Sequence, residues 1–141
     1  MASQLKVDTI TGVTTAGSVA VTGEGNSTTT NLQQGLGKVW VNFDGTASGA
    51  AARDSFNVSG MTDNGTGLYT VTFSNNMAND DYATQVTGGE TGADGVSNQI
   101  GTIERNGTYS TSQVKVNGHH TNTNSDADNN VMFVHVSGDL A

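Results

Sequence analysis

The side chains best equipped for chemistry gather between His119 and Asn130. Asn124, Asp126, Asp128 and Asn130 alternate there, as the oxygen ligands of a calcium loop often do. Two requirements of the helix-loop-helix calcium motif are missing. No glycine occupies the sharp-turn position, and no acidic residue lies twelve places after either start. The stretch therefore reads as a solvated polar loop with no metal site and no cofactor. His119 and His120 are adjacent, and neighbours on an extended chain point to opposite faces, so one chain cannot aim both at one ion. Copies meeting on a symmetry axis could do so. The plainer reading is a pair of exposed loop histidines.

Signals for catalysis are absent. Serine and threonine are abundant, yet none sits in a G-x-S-x-G elbow, and Gly23-Glu24-Gly25 lacks the Lys and Ser/Thr of a phosphate loop. The reading is a protein that is not an enzyme, with no catalytic residues. Aromatic rings could stack on sugars, and Trp40, Tyr69, Tyr82 and Tyr109 are the available ones. Trp40 and Tyr109 are the aromatic contact candidates. Trp40 falls opposite Val39, Val41 and Phe43 and so serves a second interface, a subunit contact or a ligand.

Charge and composition narrow the partners. A net charge of −8 and five scattered basic residues argue against nucleic acid and anionic membranes. No apolar run approaches a membrane span, and the N-terminus lacks the basic and apolar regions of a signal peptide, so neither membrane insertion nor ordinary export is expected. Cysteine is absent, which removes disulfides and thiolate metal sites. Only 33% of residues are apolar, whereas Gly, Thr, Ser and Asn fill about half the chain. So little apolar surface offsets chain entropy poorly, and association is the usual remedy.

Period-two alternation, the mark of half-buried strands, recurs along the chain, and helical periodicity is nearly absent. Lys38 to Phe43, Ser55 to Ser59, Leu68 to Phe73, Tyr82 to Thr87, Val96 to Glu104, Gln113 to Asn117 and Val131 to Val136 each alternate. About seven such strands describe an all-β sandwich or small barrel. Its expected core is Val39, Val41, Phe43, Phe56, Val58, Val71, Phe73, Val114, Val116, Val134 and Val136. Asn64-Gly65, Asn106-Gly107 and Asn117-Gly118 read as tight turns, because both residue types tolerate positive φ. Asn106-Gly107 is the clearest two-residue hairpin. Asn26, Asn57, Asn64 and Asn106 also head N-x-Ser/Thr triplets, which read here as turn chemistry.

Residues 1–37 differ from the rest. Leu5, Val7 and Ile10, then Val19 and Val21, mark two short extended pieces, and Asn31 can cap one helical turn closed by Gly35. The segment is too sparse for a core. It reads as an extended arm that anchors the chain or exchanges strands with a neighbour, leaving residues 38–141 as the sandwich.

Three blocks carry a resemblance: Lys38 to Thr46 (KVWVNFDGT), Arg53 to Ser59 (RDSFNVS) and Thr62 to Phe73 (TDNGTGLYTVTF). In combination they resemble tail-fibre-like appendage proteins of tailed, especially marine, bacteriophages. The arm's Leu5 to Ile10 (LKVDTI) is similar to segments that open such proteins. The resemblance implies a structural viral protein on the virion surface, a homotrimer joined to other capsid or tail proteins, that serves host attachment. Two alternatives stand beside it: a decoration protein that clamps the head shell, and a free lectin-like carbohydrate-binding module. A host surface glycan is then the candidate partner. His119, His120, Asn122, Asn124, Asp126 and Asp128 are the candidates for the receptor-facing loop. The thin core and the resemblance together predict a homotrimer. Light scattering should find three copies, and a stable folded monomer at micromolar concentration and below would contradict it.

Overall fold

The computed structural model describes residues 4–12, 19–23, 29–90, 99–104, 107 and 109–141. The chain divides into two compact units, Met1–Leu36 and Gly37–Ala141. In the first, β1 (Ala20–Thr22) and β2 (Thr29–Asn31) form an antiparallel pair, followed by one helical turn, α1 (Leu32–Gly35). The Leu32 N–H donates to the Val19 carbonyl at 2.8 Å. Residues 4–12 make no strand, so the extended piece read at Leu5 to Ile10 has no ladder partner among the described residues. Leu5, Val7, Ile10 and Val21 are exposed.

The second unit is an all-β sandwich of two packed antiparallel sheets. Among the described residues it has nine strands: β3 (Gly37–Asp44), β4 (Ala51–Phe56), β5 (Val58–Gly65), β6 (Leu68–Phe73), β7 (Ala83–Gly89), β8 (Gln99–Ile103), β9 (Gln113–His120), β10 (Ser125–Asp126) and β11 (Val131–Ser137). One sheet has the order β4-β3-β11-β7. In the other, β9 lies between β6 and β8, β5 flanks β6, and β10 continues along the β6 edge of β9. It does not close into a barrel.

Alternation places Val39, Val41, Phe43, Val134, Val136, Val71, Phe73, Val114 and Val116 inside, where all are buried. Ala50, Tyr69, Met77, Tyr82 and Met132 complete this core. Phe56 is a correction, since it is 51% exposed. The reason lies in the next residue. Asn57 takes φ 57° and ends β4, so the run from Ser55 to Ser59 is a corner between two sheets, not one strand. Asn57 holds that corner by donating from Nδ2 to the Lys38 and Asn75 carbonyls and accepting the Asn75 N–H on Oδ1. Val58, beyond the corner, is half-buried against the core.

The expected turns also shift. β5 runs through Asn64-Gly65, and the reversal falls at Thr66-Gly67, where Gly67 has φ 69°. β9 runs straight through Asn117-Gly118. There glycine serves close approach rather than a turn, because a Cβ on Gly118 would lie 2.5 Å from the Ala127 carbonyl oxygen. Thr102 and Ile103 pair with Asn117 and Val116 of β9, and the hairpin read at Asn106-Gly107 includes residues outside the described ones. Asn26 and Asn106 lie outside the described residues.

The second junction between the sheets is a glycine contact. A Cβ on Gly101 of β8 would meet the Gly88 nitrogen and the Thr87 carbonyl carbon, both at 2.8 Å. Neither backbone atom can yield cheaply. Gly101→Ala should therefore cost about 1–3 kcal/mol by overpacking. Urea unfolding checks this, and an unchanged midpoint would show that β7 and β8 can part without penalty.

Candidate functional site

A cleft of about 550 Å³ opens in the second unit, lined by Leu68, Thr102, Ile103, Glu104, Asn117, His119, Asn124, Ser125 and Asp126. Register explains how distant positions meet there. Leu68, Asn117 and Thr102 pair across β6, β9 and β8, and residues paired in this way share one face of a sheet. One step along β9, His119 stands opposite Ile100 on one side and Asp126 on the other. Val114 and Val116 face the core, so Asn117 and His119, on the alternate positions, face the cleft on the other side of the sheet.

Asp126 organises the polar wall. Its Oδ1 accepts the Asn117 Nδ2–H at 2.8 Å and lies 3.5 Å from His119 Nδ1. Ser125 is engaged elsewhere, its hydroxyl 2.7 Å from Thr123 Oγ1. The cleft thus holds a carboxylate–imidazole pair, with the Ser125 hydroxyl bonded to Thr123. Among the described residues no group of three or more His, Asp or Glu side chains could hold a metal ion. Hydrogen bonding is the chemistry this arrangement can perform.

The stretch from His119 to Asn130, read as one open loop, is built differently. His119 and His120 end strand β9, and Ser125–Asp126 folds back on them as β10. A turn over 121–124 joins them, where Asn122 is exposed and Asn124 takes φ 51°. Three of the loop candidates, His119, Asn124 and Asp126, line the cleft. His120 alternates to the other face, Asn122 lies outside the lining, and Asp128 acts as a brace. Asp128 Oδ1 accepts the Gly67 N–H at 2.6 Å and the Tyr69 hydroxyl at 2.8 Å.

The aromatic candidates separate as well. Tyr69 and Tyr82 are buried and offer no sugar platform. Tyr109 is half-buried with its ring centroid 5.3 Å from that of Tyr82. Trp40, 38% exposed, lies on the outer face of the other sheet, beside Phe56 and His135. Phe133, 44% exposed, stands one row further along that face. Sequence reasoning missed Leu68, Thr102, Ile103, Glu104, Asn117 and Ser125 as cleft residues. Their meeting depends on cross-strand register, which no local motif announces.

No protein-family model, curated protein sequence or solved structure matches this chain.

Two phenols near these braces resist ionisation. Burial, followed by the Asp128 hydrogen bond and charge, pushes the Tyr69 hydroxyl far above its ordinary value. Burial raises that of Tyr82 as well. A folded-state value above the unfolded one adds stability that is complete below about pH 10 and is lost as pH rises beyond it. In an alkaline titration, phenolate absorbance from these two tyrosines should appear only together with loss of the folded circular-dichroism signal. Ionisation of all three tyrosines near pH 10 in a folded protein would contradict the brace.

Proposed function

We propose that this chain is a non-enzymatic structural protein on the surface of a tailed-bacteriophage particle, a small fibre or spike that presents the cleft end of its sandwich toward the host. The observation that carries this reading is the arm. Leu5, 81% exposed, stands with exposed Val7, Ile10 and Val21 in a unit whose described residues include no buried hydrophobic side chain. Such side chains gain stability when another surface covers them, at about 25 cal/mol per Å² of apolar area. An arm of this kind suits strand or groove contacts with other virion proteins or with further copies in a homotrimer. The three sequence blocks that resemble tail-fibre-like proteins supply the particle. A rigid sandwich with a polar cleft suits display.

A second reading, a head-shell decoration protein, is favoured by the outer face of the β4-β3-β11-β7 sheet. Trp40, Phe56 and Phe133 are three of the chain's eight aromatic residues, and all three are exposed there. That face fits a flat neighbour better than it fits solvent. The lectin-like alternative would use the cleft without any particle.

Removing residues 1–36 separates these readings. The sandwich has its own core and should remain folded, while incorporation into particles should be lost. Full incorporation of the truncated chain would show that the arm is not the anchor. Incorporation lost instead through Phe133→Ser and Trp40→Ser in the intact chain would favour the shell-contact reading.

A further inference from the structure

We infer that the cleft takes an uncharged, hydroxyl-rich ligand, a short neutral glycan segment, through the wall of Asn117, His119 and Asp126. This rests on the reading of the cleft end as the outward recognition surface and names the ligand class for it. The volume of about 550 Å³ falls within the range of small-ligand clefts. The chemistry of the lining then removes the other classes one at a time.

An apolar ligand needs an apolar cavity, and among the described lining residues Leu68 and Ile103 are the two aliphatic side chains. An anionic ligand needs a cation. Among the described residues no Lys or Arg lines the cleft, whereas Glu104 and Asp126 do, in a chain of net charge −8. Lys115 lies on the same outward row of β9, two residues before Asn117, yet it is not part of the lining. A phosphate, sulfate or sialic acid would therefore meet two carboxylates with no ammonium or guanidinium among the described lining residues. A bare cation is poorly served too, because Asp126 Oδ1 is already committed to Asn117 and faces His119.

What remains is a ligand that donates and accepts at adjacent atoms. The wall offers both functions side by side: carboxylate oxygens accept, an imidazole can do either, and carboxamides do both at once. Vicinal hydroxyls of a pyranose match such a row. Leu68 stands in register beside Asn117 and offers an apolar patch for the C–H face of a sugar ring. The Asn117–Asp126 hydrogen bond fixes the wall before ligand arrives, which lowers the ordering cost of binding. Each cleft is open and holds few groups, so single-site affinity is weak, and several copies on one particle would raise it by avidity.

The test is a ¹H–¹⁵N NMR titration of the full chain with lactose, cellobiose and maltotriose, with sialyl-lactose and calcium chloride as competing classes. At least one neutral sugar should move the amides of Asn117 to His119 and of Ser125 to Asp126. Thr102→Trp, which fills the cleft from an exposed position, should weaken that binding at least ten-fold. Phe133→Ser, on the other sheet, should leave it unchanged. Equal or tighter binding of sialyl-lactose would overturn the neutral class, and so would saturation of the same amides by calcium alone. Absence of any response to the neutral sugars would overturn it as well. In that event adsorption to host cells separates the two levels. Loss of adsorption in Thr102→Trp particles would keep the cleft as the recognition surface for another ligand class, and unchanged adsorption would remove the cleft altogether.

Discussion

One side chain ties together the end of the sandwich where the cleft forms. Tyr69 is fully buried, and its ring meets Phe43 of the opposite sheet edge-on at 5.1 Å between centroids. Its hydroxyl donates toward the Gly45 carbonyl at 3.2 Å and toward Asp128 Oδ1 at 2.8 Å. The same carboxylate accepts the Gly67 N–H, and the Gly45 N–H donates to the Asn129 carbonyl. Three turns, after β3, between β5 and β6, and before β11, are thereby fixed to one buried phenol. Gly118 and Gly67 let the segment after β10 approach to backbone contact, with the Ala127 N–H donating to the Gly118 carbonyl at 2.9 Å. β10 carries Asp126, so the cleft wall stands on this brace.

The opposite end of β6 repeats the device with different partners. Phe73 packs edge-on against Tyr82 at 5.9 Å, and the Tyr82 hydroxyl bonds to the carbonyls of Ser110 and Gln113. With only 33% apolar residues, this chain cannot rely on core volume alone. It uses each large ring twice, as apolar filling and as a hydrogen-bonded tie between turns. The sheets meet at two places, where Asn57 turns a corner and where Gly88 packs against Gly101.

Much of the architecture was legible in alternation. Val39, Val41 and Phe43, or Val114 and Val116, announce their inward face because side chains in a strand repeat every two residues. The failures share one cause. Asn57, Asn117-Gly118 and Asn64-Gly65 all carry turn chemistry, and local sequence does not distinguish a reversal from a sheet corner or a close backbone approach. Phe56 was therefore placed in the core, although the corner beyond it turns its ring outward. Half of the loop candidates were found by polarity alone, since His119, Asn124 and Asp126 do line the cleft. Thr102, Glu104 and Leu68 could not be found that way. They reach the cleft through pairing across three strands, and pairing is a property of the whole sheet.

A cleft wall on so thin a core must be held from behind, and Tyr69 is the group that holds it. The direct test is amide hydrogen exchange in Tyr69→Phe, which removes one hydroxyl and keeps the ring. The account predicts a folded sandwich in which Gly67, Gly118 and Ala127 exchange faster by at least ten-fold, while Val134 and Val136 in the other sheet keep their protection. Unchanged exchange at Gly67 and Ala127 would contradict it, because the cleft wall would then stand without the phenol.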